Sequence, residues 1–174
     1  MALKDKTGKV LSRSEGEAVL KGRASVTITI YAAILALCSL LSNGIGGRIL
    51  TDNIMANDAW AYYQAKSIKQ DLYEVSVNNT TDKSIVESYR AHVVSLDKER
   101  EAISTKAKAL ELDRDMAKNR SPFFGYANTV LQISIVLSTT AILAVSLTMW
   151  YASIGTGILG IILLCNGIWY FLPL

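Results

Sequence analysis

The sequence predicts an all-α integral membrane protein with three transmembrane helices and a long antiparallel helical hairpin outside the bilayer. Three observations predict it. Charge is segregated: residues 24–47 and 121–174 contain no Asp, Glu, Lys or Arg, so all 18 basic and 15 acidic side chains lie in residues 1–23 and 48–120. The composition is 51% hydrophobic, with a mean hydropathy of +0.27, too apolar for an ordinary soluble surface. The charged middle carries three- and four-residue apolar spacing, the period of packed helices.

Residues 1–23 form a basic N-terminal segment with Lys4, Lys6, Lys9, Arg13, Lys21 and Arg23 against Asp5, Glu15 and Glu17. It contains Gly8, Gly16 and Gly22 and few large apolar residues, so a neighbouring subunit is expected to order it. Its excess of positive charge places the N-terminus in the cytoplasm of a bacterial inner membrane and residues 48–120 outside the cytoplasm. Arg48, Lys118 and Arg120 pull the other way.

The first span occupies residues 24–47, with its apolar core over 24–44, about 30 Å as a helix. No A-x-A site follows it, and Leu37 stands before Cys38 where a lipobox needs a small residue, so an anchor is expected rather than a cleaved signal. Residues 48–120 read as the hairpin. In its first arm Ile54, Ala61, Ala65, Ile68, Leu72 and Val75 recur with helical spacing. The polar run 77-VNNTTD-82 interrupts it, and Ser84 with Glu87 has capping-box spacing. The second arm reads Tyr89, Val93, Leu96, Arg100, Ile103, Ala107, Leu110, Arg114, Ala117, a heptad seam bearing two arginines. Ser121 and Pro122 suit the start of another helix.

Residues 121–174 read as a pair of spans, 125–150 and 156–172, joined by a turn at 151-YASIG-155. Phe123, Phe124 and Tyr126 then share one interface with Trp169, Tyr170 and Phe171, and Trp150 and Tyr151 mark the other. Within the spans, Ala32, Ala36, Ser39 and Asn43 form one stripe, and Ser134, Ser138 and Ala141 another. Together with Gly157, Gly160 and Asn166 these are candidates for intramembrane packing through close approach and interhelical hydrogen bonds.

No motif specifies chemistry. Gly155, Gly157 and Gly160 match G-x-G-x-x-G, but they lead into an apolar span rather than a strand–helix turn. Asn78 and Asn79 sit in sequons within a polar tip. His92 is the only histidine, and Cys38 and Cys165 both lie in apolar runs, so neither a metal site nor a disulfide framework is expected. Glu111, Asp113 and Asp115 alternate with Arg114 and Lys118 as a solvated face. There is no G-x-S-x-G and no P-loop, so neither catalysis nor a cofactor is expected. Residues 48–120 hold twelve basic and twelve acidic side chains, which argues against a nucleic-acid partner.

The stretch 60-WAYYQAKSIKQ-70 decorates one helix on several sides. Trp60, Tyr62, Tyr63, Gln64 and Lys66, with Arg100 and Arg114, are candidate interface residues. They suit either a subunit contact or packing against the hairpin's own second arm. This phrase, an N-terminal apolar span, a charged helical middle and a closing pair that begins 128-NTVLQISIVL-137 resemble a family of bacterial membrane proteins, domain of unknown function 4337. The resemblance covers most of the chain. It implies architecture and supplies no mechanism; it also implies a basic turn between the last two spans, where this chain is uncharged.

The expected function is therefore a homo-oligomeric membrane scaffold or interaction platform without catalysis. Its expected partners are the lipid bilayer and copies of itself. A pore lined by Thr27, Thr29, Ser39 and Asn43 is the alternative, and an accessory subunit of another membrane complex a third.

Overall fold

The computed structural model describes residues 13–171. Among the described residues the protein is all-α, with three helices: α1 (Arg13–Asn79), α2 (Lys83–Leu143) and α3 (Leu147–Trp169). Among the described residues there is no strand. The helices divide between two units. One comprises the described residues up to Ile45 together with those from Arg120 onward; the other is Gly46–Asn119.

Two expected helix boundaries are absent. α1 runs through Gly44, Gly46 and Gly47, although each glycine costs a helix interior about 1 kcal/mol relative to Ala. α2 runs through Pro122, which removes a backbone donor and crowds the preceding turn at a cost of ~3 kcal/mol. Phe123 and Phe124, the next two residues, are buried, and the burial of two large rings is of the size needed to offset that cost. Residues 13–23, read as a separate segment, continue α1, with Gly16 and Leu20 buried. The rest of that segment, residues 1–12, lies outside the described residues.

The tip of the hairpin is short, residues 80–82. Asp82, not Ser84, caps α2: its Oδ1 accepts from the Ser84 amide at 2.9 Å, and its carbonyl accepts from Val86 N at 3.0 Å. A carboxylate at this position satisfies a free amide and meets the positive end of the helix.

The reversal between the last two helices falls at residues 144–146, not 151–155. Val145 takes φ 46°, a left-handed conformation disfavoured for a β-branched residue. Ser146 N-caps α3, its side chain accepting from Met149 N. The position follows from packing. Ser153 and Gly157 are both buried on α3, so helix must already be present at 151–155, where a turn would displace them.

The unit of residues up to 45 and from 120 is built around Tyr31, Cys38, Phe124, Ala127, Leu131 and Leu164. Unlike a soluble domain, it also exposes large aliphatic side chains. Ser134, Ser138 and Ser153 are fully buried and Asn166 nearly so, whereas Val26, Leu37, Leu40, Val136 and Ile158 are each more than half exposed.

The unit Gly46–Asn119 pairs the second part of α1 with the first part of α2. Every residue of the predicted α2 seam from Tyr89 to Ala117 is buried or half-buried. On α1 the arrangement differs from the apolar pattern: Ile54, Ile68, Leu72 and Val75 are 51%, 69%, 65% and 55% exposed. The face of α1 turned inward instead bears Ala56, Trp60, Tyr63, Ser67, Gln70 and Tyr73.

Candidate functional site

The hairpin seam is polar and aromatic. Trp60 donates its indole N–H to Glu111 Oε1 at 2.9 Å and meets the Tyr63 ring edge-on at 5.5 Å. Arg100 reaches across from α2. Its Nη1 donates to Gln70 Oε1 at 2.7 Å, and its Nη2 donates to the Tyr63 hydroxyl at 2.8 Å. The guanidinium also lies 4.7 Å from the Tyr63 ring centroid. A planar fork suits two acceptors and an aromatic ring at once, which a point-charge ammonium does not. Arg114 donates from Nη1 to Asn53 Oδ1 at 3.2 Å and pairs with neighbouring Asp115 at 2.9 Å. Both seam arginines thus meet polar groups of α1. Tyr73 stacks on His92 at 5.0 Å.

Lys66 and Glu99 close the seam's flank with a 2.6 Å ion pair. The hydrogen bond from Lys66 holds the Glu99 carboxyl below the ordinary range, and the same bond raises Lys66. The sign follows by linkage. A depressed carboxylate stabilises the fold above the ordinary carboxylate value and loses that contribution as pH falls through the folded value. A raised ammonium contributes below the ordinary lysine value and loses it as pH rises through the folded value. The pair therefore contributes from about pH 4 to about pH 10. We predict that amide exchange near residues 66 and 99, corrected for intrinsic rates, is flat across neutral pH and faster below about pH 4. The Glu99→Gln variant should lack the acid-induced increase; an increase of the same size there would assign it to other carboxylates.

The apolar unit is held by close helix approach. The buried face of α3 presents Ser153, Gly157, Gly160, Leu164 and Gly167. A Cβ on Gly157 would overlap the Tyr31 ring, one on Gly160 would stand 2.9 Å from Leu131 Cγ, and one on Gly167 2.9 Å from Phe124 Cε2. Hydroxyls then bridge the helices. Ser138 and Ser153 share a hydrogen bond at 2.7 Å, Ser134 donates to Thr156 at 2.9 Å, and the Tyr31 hydroxyl donates to the Ser153 carbonyl at 3.3 Å. Ser39 donates to Asn128 Oδ1 at 3.3 Å. Aromatic and basic groups meet near the two ends of α3: Phe123 against Tyr170 at 6.0 Å, Arg120 over Tyr170 at 5.9 Å, and Arg23 over Trp150 at 5.9 Å.

A family model described as Domain of unknown function (DUF4337) matches residues 20–170. The chain belongs to that family. No curated protein and no solved structure matches it.

In this DUF4337 chain the candidate residues separate. Trp60, Tyr63, Lys66, Arg100 and Arg114 come together between the two hairpin arms, while Tyr62 and Gln64 face outward. Ser134, Ser138, Ala141, Gly157, Gly160 and Asn166 are buried, and Ser39 is half-buried; Ala32, Ala36 and Asn43 are exposed. Sequence reasoning missed Asn53, Gln70 and Glu99 as partners of the seam and read Glu111, which is half-buried against Trp60, as part of a solvated face. A signal for the α1 partners was present: Asn53, Ala56, Trp60, Tyr63, Ser67 and Gln70 have alternating three- and four-residue spacing, masked because none is a large aliphatic residue. Among the described residues, no three His, Cys, Asp or Glu side chains converge as metal ligands.

Proposed function

We propose that this DUF4337 chain is a homo-oligomeric membrane scaffold, with its apolar three-helix unit in the bilayer and its charged hairpin serving as an interaction platform outside the cytoplasm. The observation that carries this reading is the apolar exterior of the three-helix unit. All three helices are long and apolar enough to cross a membrane. Three serine hydroxyls and the Asn166 amide are buried among apolar and aromatic side chains, while Val, Leu and Ile line the outside. Lipid favours that arrangement, since hydrocarbon solvates aliphatic side chains and leaves polar ones to bond with one another. The hairpin carries the aromatic stretch around Trp60 and supplies the platform. No catalytic step enters this reading.

The pore alternative is weakened by two of its own residues: Thr27 accepts from the Trp150 indole at 3.2 Å, and Ser39 is bonded to Asn128. The test is the lipid-corrected particle mass in lipid discs. We expect a multiple of 19.0 kDa. A single chain would overturn self-assembly, and a second protein in fixed ratio would replace the scaffold with an accessory subunit. Protease added to intact spheroplasts should cut residues 48–120; full protection would reverse the orientation.

A further inference from the structure

We infer that the outward face of α1 in the hairpin unit is a parallel, in-register seam for α1 of a second copy of this chain; this deepens, and rests on, the self-assembly reading. Ala61, Ala65, Ile68, Leu72 and Val75 follow one another at steps of four, three, four and three residues. All five are exposed, the three large ones by 55% or more. A strict 3.5-residue repeat matches a supercoiled helical partner, and within the chain α2 occupies the opposite face.

The occupant follows from three features. First, a second copy offers the same stripe, giving a self-complementary contact about a two-fold axis. The outward large apolar residues of the hairpin part of α2, Ile85, Val94, Leu112 and Met116, are separated by nine, eighteen and four residues and form no matching repeat. Second, the flanking charges suit the parallel arrangement. In heptad terms Ala65 and Leu72 take position a, and Ala61, Ile68 and Val75 position d. Lys69 then lies opposite Gln64 of the second copy, and Asp71 opposite its Ser76, so these flanking positions oppose no like charges. Asp58, one step before Ala61, would face its own copy and bounds the seam. Third, the contact is small. Five residues per helix fall below the surface that a stable soluble complex buries, so this seam serves chains already held side by side in one bilayer, where effective concentration is high. Copies inserted with the same orientation also bring α1 against α1 in parallel.

The test uses full-length chains in lipid discs, with Cys38 and Cys165 replaced by Ser. A single Ile68→Cys, treated with a short bismaleimide, should give a covalent species of twice the chain mass. Leu112→Cys on α2, 62% exposed, should not. Adding Leu72→Glu should abolish the Ile68→Cys product while helical content is retained, because the replaced side chain is exposed. In otherwise unaltered chains, Ile68→Glu with Leu72→Glu should reduce the particle to the mass of one chain. An unchanged multimer in that variant, or equal cross-linking at positions 68 and 112, would overturn this seam and leave self-assembly standing. A single-chain mass for the unaltered protein would overturn both.

Discussion

Gly157→Ala opens the apolar unit, and Cys38 reports it. The added methyl would overlap the Tyr31 side chain, of which two ring carbons and the hydroxyl oxygen are the three nearest atoms to that position. Tyr31 is itself buried and hydrogen-bonded to the Ser153 carbonyl, so it has little freedom to yield. Overpacking of this kind costs about 1–3 kcal/mol. Cys38 is fully buried and protected while the helices stay together. In a Cys165→Ser background, labelling of Cys38 by a membrane-permeant maleimide should accelerate about 5- to 150-fold, at 1.4 kcal/mol per factor of ten. A second substitution identifies the clash. With Tyr31→Ala in place, Gly157→Ala should add little, whereas Tyr31→Phe should leave most of the effect, because the ring itself occupies the space. Independent, additive effects of Gly157→Ala and Tyr31→Ala would place the cost elsewhere.

Arg100→Ala is the corresponding lesion in the hairpin. It strands Gln70 Oε1 and the Tyr63 hydroxyl, both bonded by the same guanidinium, and removes the cation over the Tyr63 ring. Hydrogen bonds from charged donors contribute about 1.5–3 kcal/mol each. Water reaches part of this seam, so the expected total is about 2 kcal/mol, equivalent to roughly 30-fold faster exchange of the amides around Tyr63 and Gln70. Arg100→Lys should recover less than half of the loss, since one ammonium does not reproduce the fork. Full recovery by Lys would mean that charge alone supplies the contact.

The parts legible in the sequence are those where one signal acts alone. The apolar, charge-free runs announced three helices of membrane-spanning length, and the heptad from Tyr89 to Ala117 named the inward face of α2. Reading failed where two signals compete. On α1 the apolar stripe from Ala61 to Val75 suggested a core face, but the packed face is the one bearing Trp60, Tyr63 and Gln70. Complementarity to Arg100 and Glu111 decided that choice, and it becomes visible only once both arms are aligned. The turn before α3 was misplaced for a related reason. Gly155 and the uncharged run around it looked like a reversal, while Val145 gave no sign of a positive φ. Burial of Ser153 and Gly157 extended helix through 151–155 and moved the reversal to residues without turn chemistry. Continuity through Pro122 of α2 and through Gly44, Gly46 and Gly47 of α1 likewise shows local propensity overridden by the longer helix.

The brevity of the connection between α2 and α3 bears on biogenesis. Three residues, 144–146, separate the helices, and no charged side chain occurs from residue 121 onward. In the proposed bilayer placement this pair has no polar segment to carry across, and the nearest charges, Lys118 and Arg120, lie before it. In the proposed topology it would enter as a unit. The direction of the whole chain would then rest on the charges flanking the apolar runs, Lys21 and Arg23 before the first against Arg48 after it and Lys118 and Arg120 before the pair, so a small change in that balance would invert every segment at once.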